Sequence, residues 1–299
     1  MRRLSLGLVL AAVMLISLVL LVFSYSEVGI TCEIGSDGIP PAVSDLSAVP
    51  QSVVEDATRL ATELFGDCQD KVDDFVNQLL ATYLEAKDKD FVIVFNPGGW
   101  GWNLVETSPG WRSIFIGIKS ELGSSGYKAL LLDHLRTVDS LQGRLSELVE
   151  MITRYPSKAK DLASRVEFLT NHIPDLRVIV AGESSGTVIS ARVMTLLEDN
   201  PRVYSIQTGP PFWHKNNMWD RTLLLTGNGI IPDAFTEGDF LAVVKGYVKA
   251  LFGLSEPIND FGTIPHYVSA PGHDYWWHYP EVYSQILEFI DNNFGVKWR

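Results

Sequence analysis

From Asp90 onward, short apolar runs alternate with longer segments of helical periodicity, and this restricts the fold more than any other feature of the chain. Strands read at 91–96, 128–133, 177–182, 203–208 and 222–227, with 264–269 a sixth candidate; Phe91–Phe95 (Phe-Val-Ile-Val-Phe) is apolar throughout. An apolar run of that length, such as Phe91–Phe95, reads as a buried strand. Helices are predicted near 111–124, 141–172 (broken at Pro156), 186–199, 237–253 and 280–294, the last with Pro280 in its first turn. Strands alternating with helices imply an α/β fold, a mainly parallel central sheet with helices on both faces. In such sheets the chemistry gathers at the carboxyl ends of the strands.

One of those ends carries a motif. Val178–Ala181 runs into Gly182-Glu183-Ser184-Ser185-Gly186, and an uncharged helical stretch follows from Thr187 to Leu197. Strand, sharp turn and helix form the context in which Gly-x-Ser-x-Gly lifts a serine hydroxyl out of the backbone as a nucleophile. The turn brings strand and helix so close that Gly182 and Gly186 have no room for a Cβ. The alternative is an ordinary strand-to-helix turn with an inert serine.

In this region the chain resembles the α/β-hydrolase superfamily, whose parts follow a set order: oxyanion loop, serine, acid, histidine. The strand Phe91–Phe95 ends in Asn96-Pro97-Gly98-Gly99-Trp100-Gly101, similar to the family's glycine-rich loop. The resemblance implies that Gly99 or Trp100 donates a backbone N–H to the oxyanion, paired with the N–H of Ser185; Pro97 has none to give. It also implies a base on the loop before the final helix, the place of His273 in Ala270-Pro271-Gly272-His273-Asp274. A neutral imidazole takes the serine proton and returns it to the leaving group. His278, between Trp277 and Tyr279, reads as packing or rim. His134, after the second run, reads as a core or surface histidine, with a substrate contact as the alternative.

The acid departs from the family pattern. The slots soon after Gly227 hold Asn228 and Gly229, and the first carboxylate is Asp233. Asp233 is either the acid that orients His273 or the N-cap of a helix at Ala234-Phe235-Thr236-Glu237. Asp220, Glu237, Asp239 and Asp260 are the spare carboxylates.

The N-terminus bears a different signal. Met1-Arg2-Arg3 precedes Leu4–Phe23, an apolar run that at ~1.5 Å per residue spans a ~30 Å hydrocarbon core. Residues 1–26 therefore read as a transmembrane helix with the arginines cytoplasmic, and a cleaved signal peptide is the alternative. Membrane contact through residues 4–23 would make the enzyme single-pass with its catalytic domain extracytoplasmic; cleavage would make it secreted. Cys32 and Cys68 would then lie where a Cys32–Cys68 disulfide is allowed, worth about 4 kcal/mol in the chain-entropy account. Residues 27–50, with Gly38, Pro40, Pro41 and Pro50, read as a stalk. The resemblance implies that residues 51–299 form an α/β-hydrolase domain, opening with a helical extension over 51–89 that breaks near Gly66-Asp67.

With 36 acidic against 24 basic residues the formal charge is −12, and no basic run marks a nucleic-acid partner. Neither a His-Glu-x-x-His nor a paired Cys-x-x-Cys motif occurs, so no metal is expected, and no cofactor. Trp100, Trp102, Phe212, Trp213, Trp276, Trp277, Tyr275 and Tyr279 fall on the expected site loops. As an aromatic rim they would bind an apolar acyl or aryl group, with Trp102, Phe212, Trp213 and Trp276 as substrate contacts; loop packing is the alternative. Together these features predict a membrane-anchored serine hydrolase, an esterase or lipase, that cleaves a small-molecule or lipid carboxylic ester through an acyl-enzyme on Ser184. An acyltransferase or peptidase on the same fold, or an inactive binding module, are the alternatives.

Overall fold

The runs at 91 and 177 become the two central strands because both of their faces find apolar partners. In the computed structural model, which describes residues 48–137, 140–214, 220–239, 241–243, 245 and 270–295, β1 (Phe91–Asn96) is buried throughout. It is flanked by β2 (Ala129–Asp133) and β3 (Arg177–Glu183), followed by β4 (Val203–Thr208) and β5 (Thr222–Leu225). The described sheet has the order β2-β1-β3-β4-β5, and every neighbouring pair is parallel. The chain reverses its direction of winding between β1 and β3, which is where doubly wound sheets open a crevice for ligands.

Helices α1 (Gln51–Phe65), α2 (Gln69–Ala86), α5 (Pro156–His172) and α6 (Ser185–Leu196) cover one face; α3 (Pro109–Ser124) and α8 (Pro280–Phe294) cover the other. Successive strand residues divide between the two cores: Val92 and Val94 join the first, Phe91, Ile93 and Phe95 the second. The helical extension belongs to this packing, since Val53, Ala57, Phe75, Leu79 and Leu80 lie in the first core. Helix α4 (Leu141–Ile152) is separated from α5 by a break before Pro156, as predicted; Ser140 caps it by accepting the N–H of Gly143 at 2.9 Å.

Several expectations change. Strand β5 ends at Leu225, two residues short of the predicted end. The helix predicted over 237–253 is preceded by a short helix, α7 (Ala234–Glu237), that ends at Gly238. Residues 241–243 and 245 of that prediction are helical; its other residues beyond 239, the strand at 264–269, the transmembrane helix at 4–23, residues 27–47 of the stalk and Cys32 lie outside the described residues. Among the described residues no helix is long and apolar enough to cross a membrane.

Helix α6 leaves β3 with almost no clearance. A Cβ on Gly186 would stand 2.2 Å from the backbone oxygen of Asn96, and one on Gly182 would stand 2.9 Å from both Gly186 O and Thr187 Cα. The obstacle at Gly186 is backbone at the end of a central strand, so it cannot swing aside. Gly186→Ala is expected to destabilise the protein by about 1–3 kcal/mol or more and to lower activity with it. A melting temperature equal to the parent's in a thermal scan would refute this account of the turn.

Candidate active site

Ser184 sits between β3 and α6 with φ 49° and ψ −118°, a left-handed backbone rare for a residue with a side chain. Strain of this kind persists only where the surroundings fix it, and it is concentrated at functional sites. Here the Ser184 N–H donates to the Thr208 carbonyl at the end of β4 (2.9 Å), and α6 packs the turn from behind. Ser185, next in the chain, is the first residue of α6. The first N–H groups of a helix have no partner within it, so the Ser185 N–H is available to an anion.

The loop after β1 lies against this turn. A Cβ on Gly98 would stand 3.1 Å from Ser184 Cβ, and the Gly98 N–H points at Glu183 Oε2 (3.4 Å). Burial pushes the half-buried Glu183 carboxyl above its ordinary range, with His273 and the Gly98 N–H pulling it the other way. Gly99 and Trp100 are exposed. The Gly99 carbonyl accepts the Ser185 hydroxyl at 2.9 Å, so the Ser185 side chain ties the loop to the helix.

His273 reaches the same strand ends from the loop before α8. Its ring covers Gly209, just beyond β4: a Cβ there would lie 2.5 Å from His273 Cε1. Behind the ring, Nδ1 meets Asp233 Oδ2 at 2.8 Å, and the Asp233 side chain is fully buried. Asp233 makes the contacts of both readings, to a helix start and to His273. Oδ1 accepts the N–H groups of Phe235 (3.0 Å) and Thr236 (3.1 Å), capping α7. Oδ2 holds His273 together with the hydroxyls of Tyr275 (2.8 Å) and Thr236 (2.9 Å). Burial acts to raise the carboxyl, but the His273 bond and charge, the Thr236 N–H and the Tyr275 hydroxyl outweigh it, and the group lies below the usual carboxylate range. The carboxylate thus fixes Nδ1 as the protonated nitrogen and leaves Nε2 as the basic one.

The turn at Ser184, the glycine-rich loop and the His273–Asp233 pair thus meet at the carboxyl edge of the sheet. No family model matches the chain, and no curated protein does. Among solved structures, a Trichoderma reesei cutinase in complex with a C11Y4 phosphonate inhibitor is similar at 13% identity and a TM-score of 0.38. That alignment covers 82% of this chain and 94% of the cutinase chain. At such a level the reading of the site rests on its own residues.

Asn228, soon after the end of β5, does not face His273 with a carboxylate but serves the loop itself. Asn228, buried, donates to the backbone and side chain of Asp274, at 3.1 Å in each case, and its Oδ1 accepts the N–H groups of Ile230 and Ile231. It braces the residue next to His273, while the Ala234 N–H to Pro271 O bond (2.9 Å) joins the Asp233 and His273 loops directly.

The aromatic rim is only partly assembled. Phe212, 44% exposed, meets Phe235 edge to face at 6.4 Å, and Phe235 meets His273 at 5.1 Å. Trp100 stacks on Trp102 at 6.1 Å, with the Arg144 guanidinium over Trp102. Trp276 packs beside the exposed His278 (5.6 Å). Trp213, by contrast, packs against the first core and shares a small cavity with Met151, Ile152 and Arg154. Trp277 packs against the second core over Gly117, and the buried Tyr275 holds Asp233. His134 is structural: its ring nitrogen meets Asn96 Oδ1 at 2.6 Å, Asp161 lies 3.7 Å away, and burial lowers its affinity for a proton.

Phe235 and Arg136 were not singled out in the sequence. Phe235 follows from the cap, since a residue two beyond Asp233 must lie near whatever Asp233 holds. Arg136 has no motif around it.

Proposed function

We propose that the protein is a serine hydrolase of carboxylic esters. The observation that carries this reading is the His273–Asp233 pair, bonded through Nδ1 and set on the strand end beside a left-handed Ser184. Nε2 of His273 takes the Ser184 proton as Oγ attacks the acyl carbonyl, and returns it to the departing alkoxide. Water then repeats the exchange on the acyl-enzyme. Asp233 holds the imidazole in the tautomer this requires and stabilises the imidazolium. The backbone donors of the loop after β1 and of Ser185 face the developing oxyanion. Phe212, Phe235 and Trp100 favour an apolar acyl or aryl group, and the chain's negative charge disfavours a strongly anionic one. Attachment to a membrane through residues 4–23 completes the proposal from the sequence alone.

Labelling with a fluorophosphonate, followed by peptide mapping, tests the class and the nucleophile together. Modification confined to the peptide holding Ser184 is the expected result. Folded protein that takes up no label would overturn the reading in favour of an inactive binding module.

A further inference from the structure

The guanidinium of Arg136, in the segment after β2, is wholly withdrawn from solvent. Its N–H groups go to the carbonyls of Pro97 and Gly99 (the latter at 3.2 Å), to the Ser185 hydroxyl (3.2 Å) and to Oε1 of Glu147 on α4 (3.0 Å). The Arg136 backbone N–H donates to Gly101 O at 2.9 Å, and the Lys158 ammonium holds the Arg136 carbonyl at 2.7 Å. The glycine-rich loop is therefore gripped from behind by one rigid, planar group. A lysine, with a single point charge, could not serve all of these acceptors at once.

A trans peptide directs the carbonyl of one residue and the N–H of the next to opposite sides. Since the carbonyls of Pro97 and Gly99 face Arg136, the N–H groups of Gly98 and Trp100 face away from it. The Gly98 N–H does so visibly, pointing at Glu183 Oε2 on the Ser184 side of the loop. We propose that Arg136 is a positioning residue for the oxyanion site: by drawing the Gly99 carbonyl to the rear it presents the Trp100 N–H to the oxygen anion formed at Ser184. The inference rests on the serine-hydrolase reading and selects Trp100 over Gly99 as the loop's donor.

The test uses a matched pair of substrates, a p-nitrophenyl ester and its thionoester, in which sulfur replaces the carbonyl oxygen. An oxyanion site shaped for oxygen serves the larger sulfur poorly, so the ratio of the two kcat values reads its geometry. The variant is Arg136→Met combined with Glu147→Gln, which leaves neither charge buried alone. With active sites counted by phosphonate titration, kcat for the oxygen ester is expected to fall about 10²-fold with KM little changed, and the oxygen-to-sulfur ratio to fall about tenfold or more. A folded variant with kcat within threefold of the parent, or with equal losses on both substrates, overturns the proposal. Should the double variant fail to fold, Ser185→Ala removes one tie to the Gly99 carbonyl; the ratio should then drop severalfold, and an unchanged ratio overturns the proposal. No turnover or labelling in the parent would instead overturn the hydrolase reading, and this inference with it.

Discussion

Ser184→Ala is expected to lower kcat for short p-nitrophenyl esters by about 10⁴-fold or more, with the melting temperature almost unchanged. The elbow is fixed by backbone bonds and by the close approach of α6 to the end of β1, none of which involves the hydroxyl. Alanine also retains the Cβ and hence the same left-handed cost, so the fold is unaltered while the attacking oxygen is gone. Steady-state assays on protein of verified melting temperature decide the matter. A variant as active as the parent would remove Ser184 from the mechanism.

Asp233→Asn carries the second large effect, and it separates the two tasks of one side chain. The amide oxygen can replace Oδ1 over the N–H groups of Phe235 and Thr236, and Asn is as good a cap as Asp, so α7 should survive. The amide NH2 then faces His273, where Oδ2 accepted a bond. Nδ1 must become an acceptor, which moves the proton to Nε2 and blocks the base. We expect kcat to fall about 10²–10⁴-fold. The same substitution changes the response to acid. Because the native carboxyl of Asp233 lies below its unfolded value, ionisation favours the folded state: that stability is present above the unfolded pKa of about 3.9 and is lost as pH falls through the native value. The parent's advantage over Asp233→Asn in melting temperature should therefore shrink below about pH 4. A variant with full activity would return Asp233 to the role of a cap alone.

The central strands were legible because burial on both faces leaves an apolar run with almost no interruption, as in Phe91–Phe95 and Val178–Ala181. The tight turn at Ser184 was legible because the two glycines beside it answer to a steric demand that the structure shows directly. Asp233 was ambiguous for a physical reason: the acceptor that caps a helix and the acceptor that orients an imidazole are the same chemical group. The structure uses both oxygens, so neither reading alone was complete. The aromatic loops were read too generously. Sequence places Trp213, Tyr275 and Trp277 on loops but does not say which way each ring turns, and these three turn toward cores or toward Asp233. Arg136 left no trace, since a lone arginine after a strand reads as a surface residue. Its burial is explained by Glu147, the loop carbonyls and the Ser185 hydroxyl, which lie on other elements of the fold.

The joining of the Asp233 and His273 loops to strand ends far away along the chain has a kinetic consequence. The groups from Asn96 to His273 meet only when β1, β3, β4 and both late loops are in register, so the site has a high contact order even though each helix beside it forms from local contacts. During refolding, helical signal and hydrophobic collapse should return early, and reactivity toward a phosphonate only at the end. Covalent labelling thus counts fully native molecules rather than compact ones.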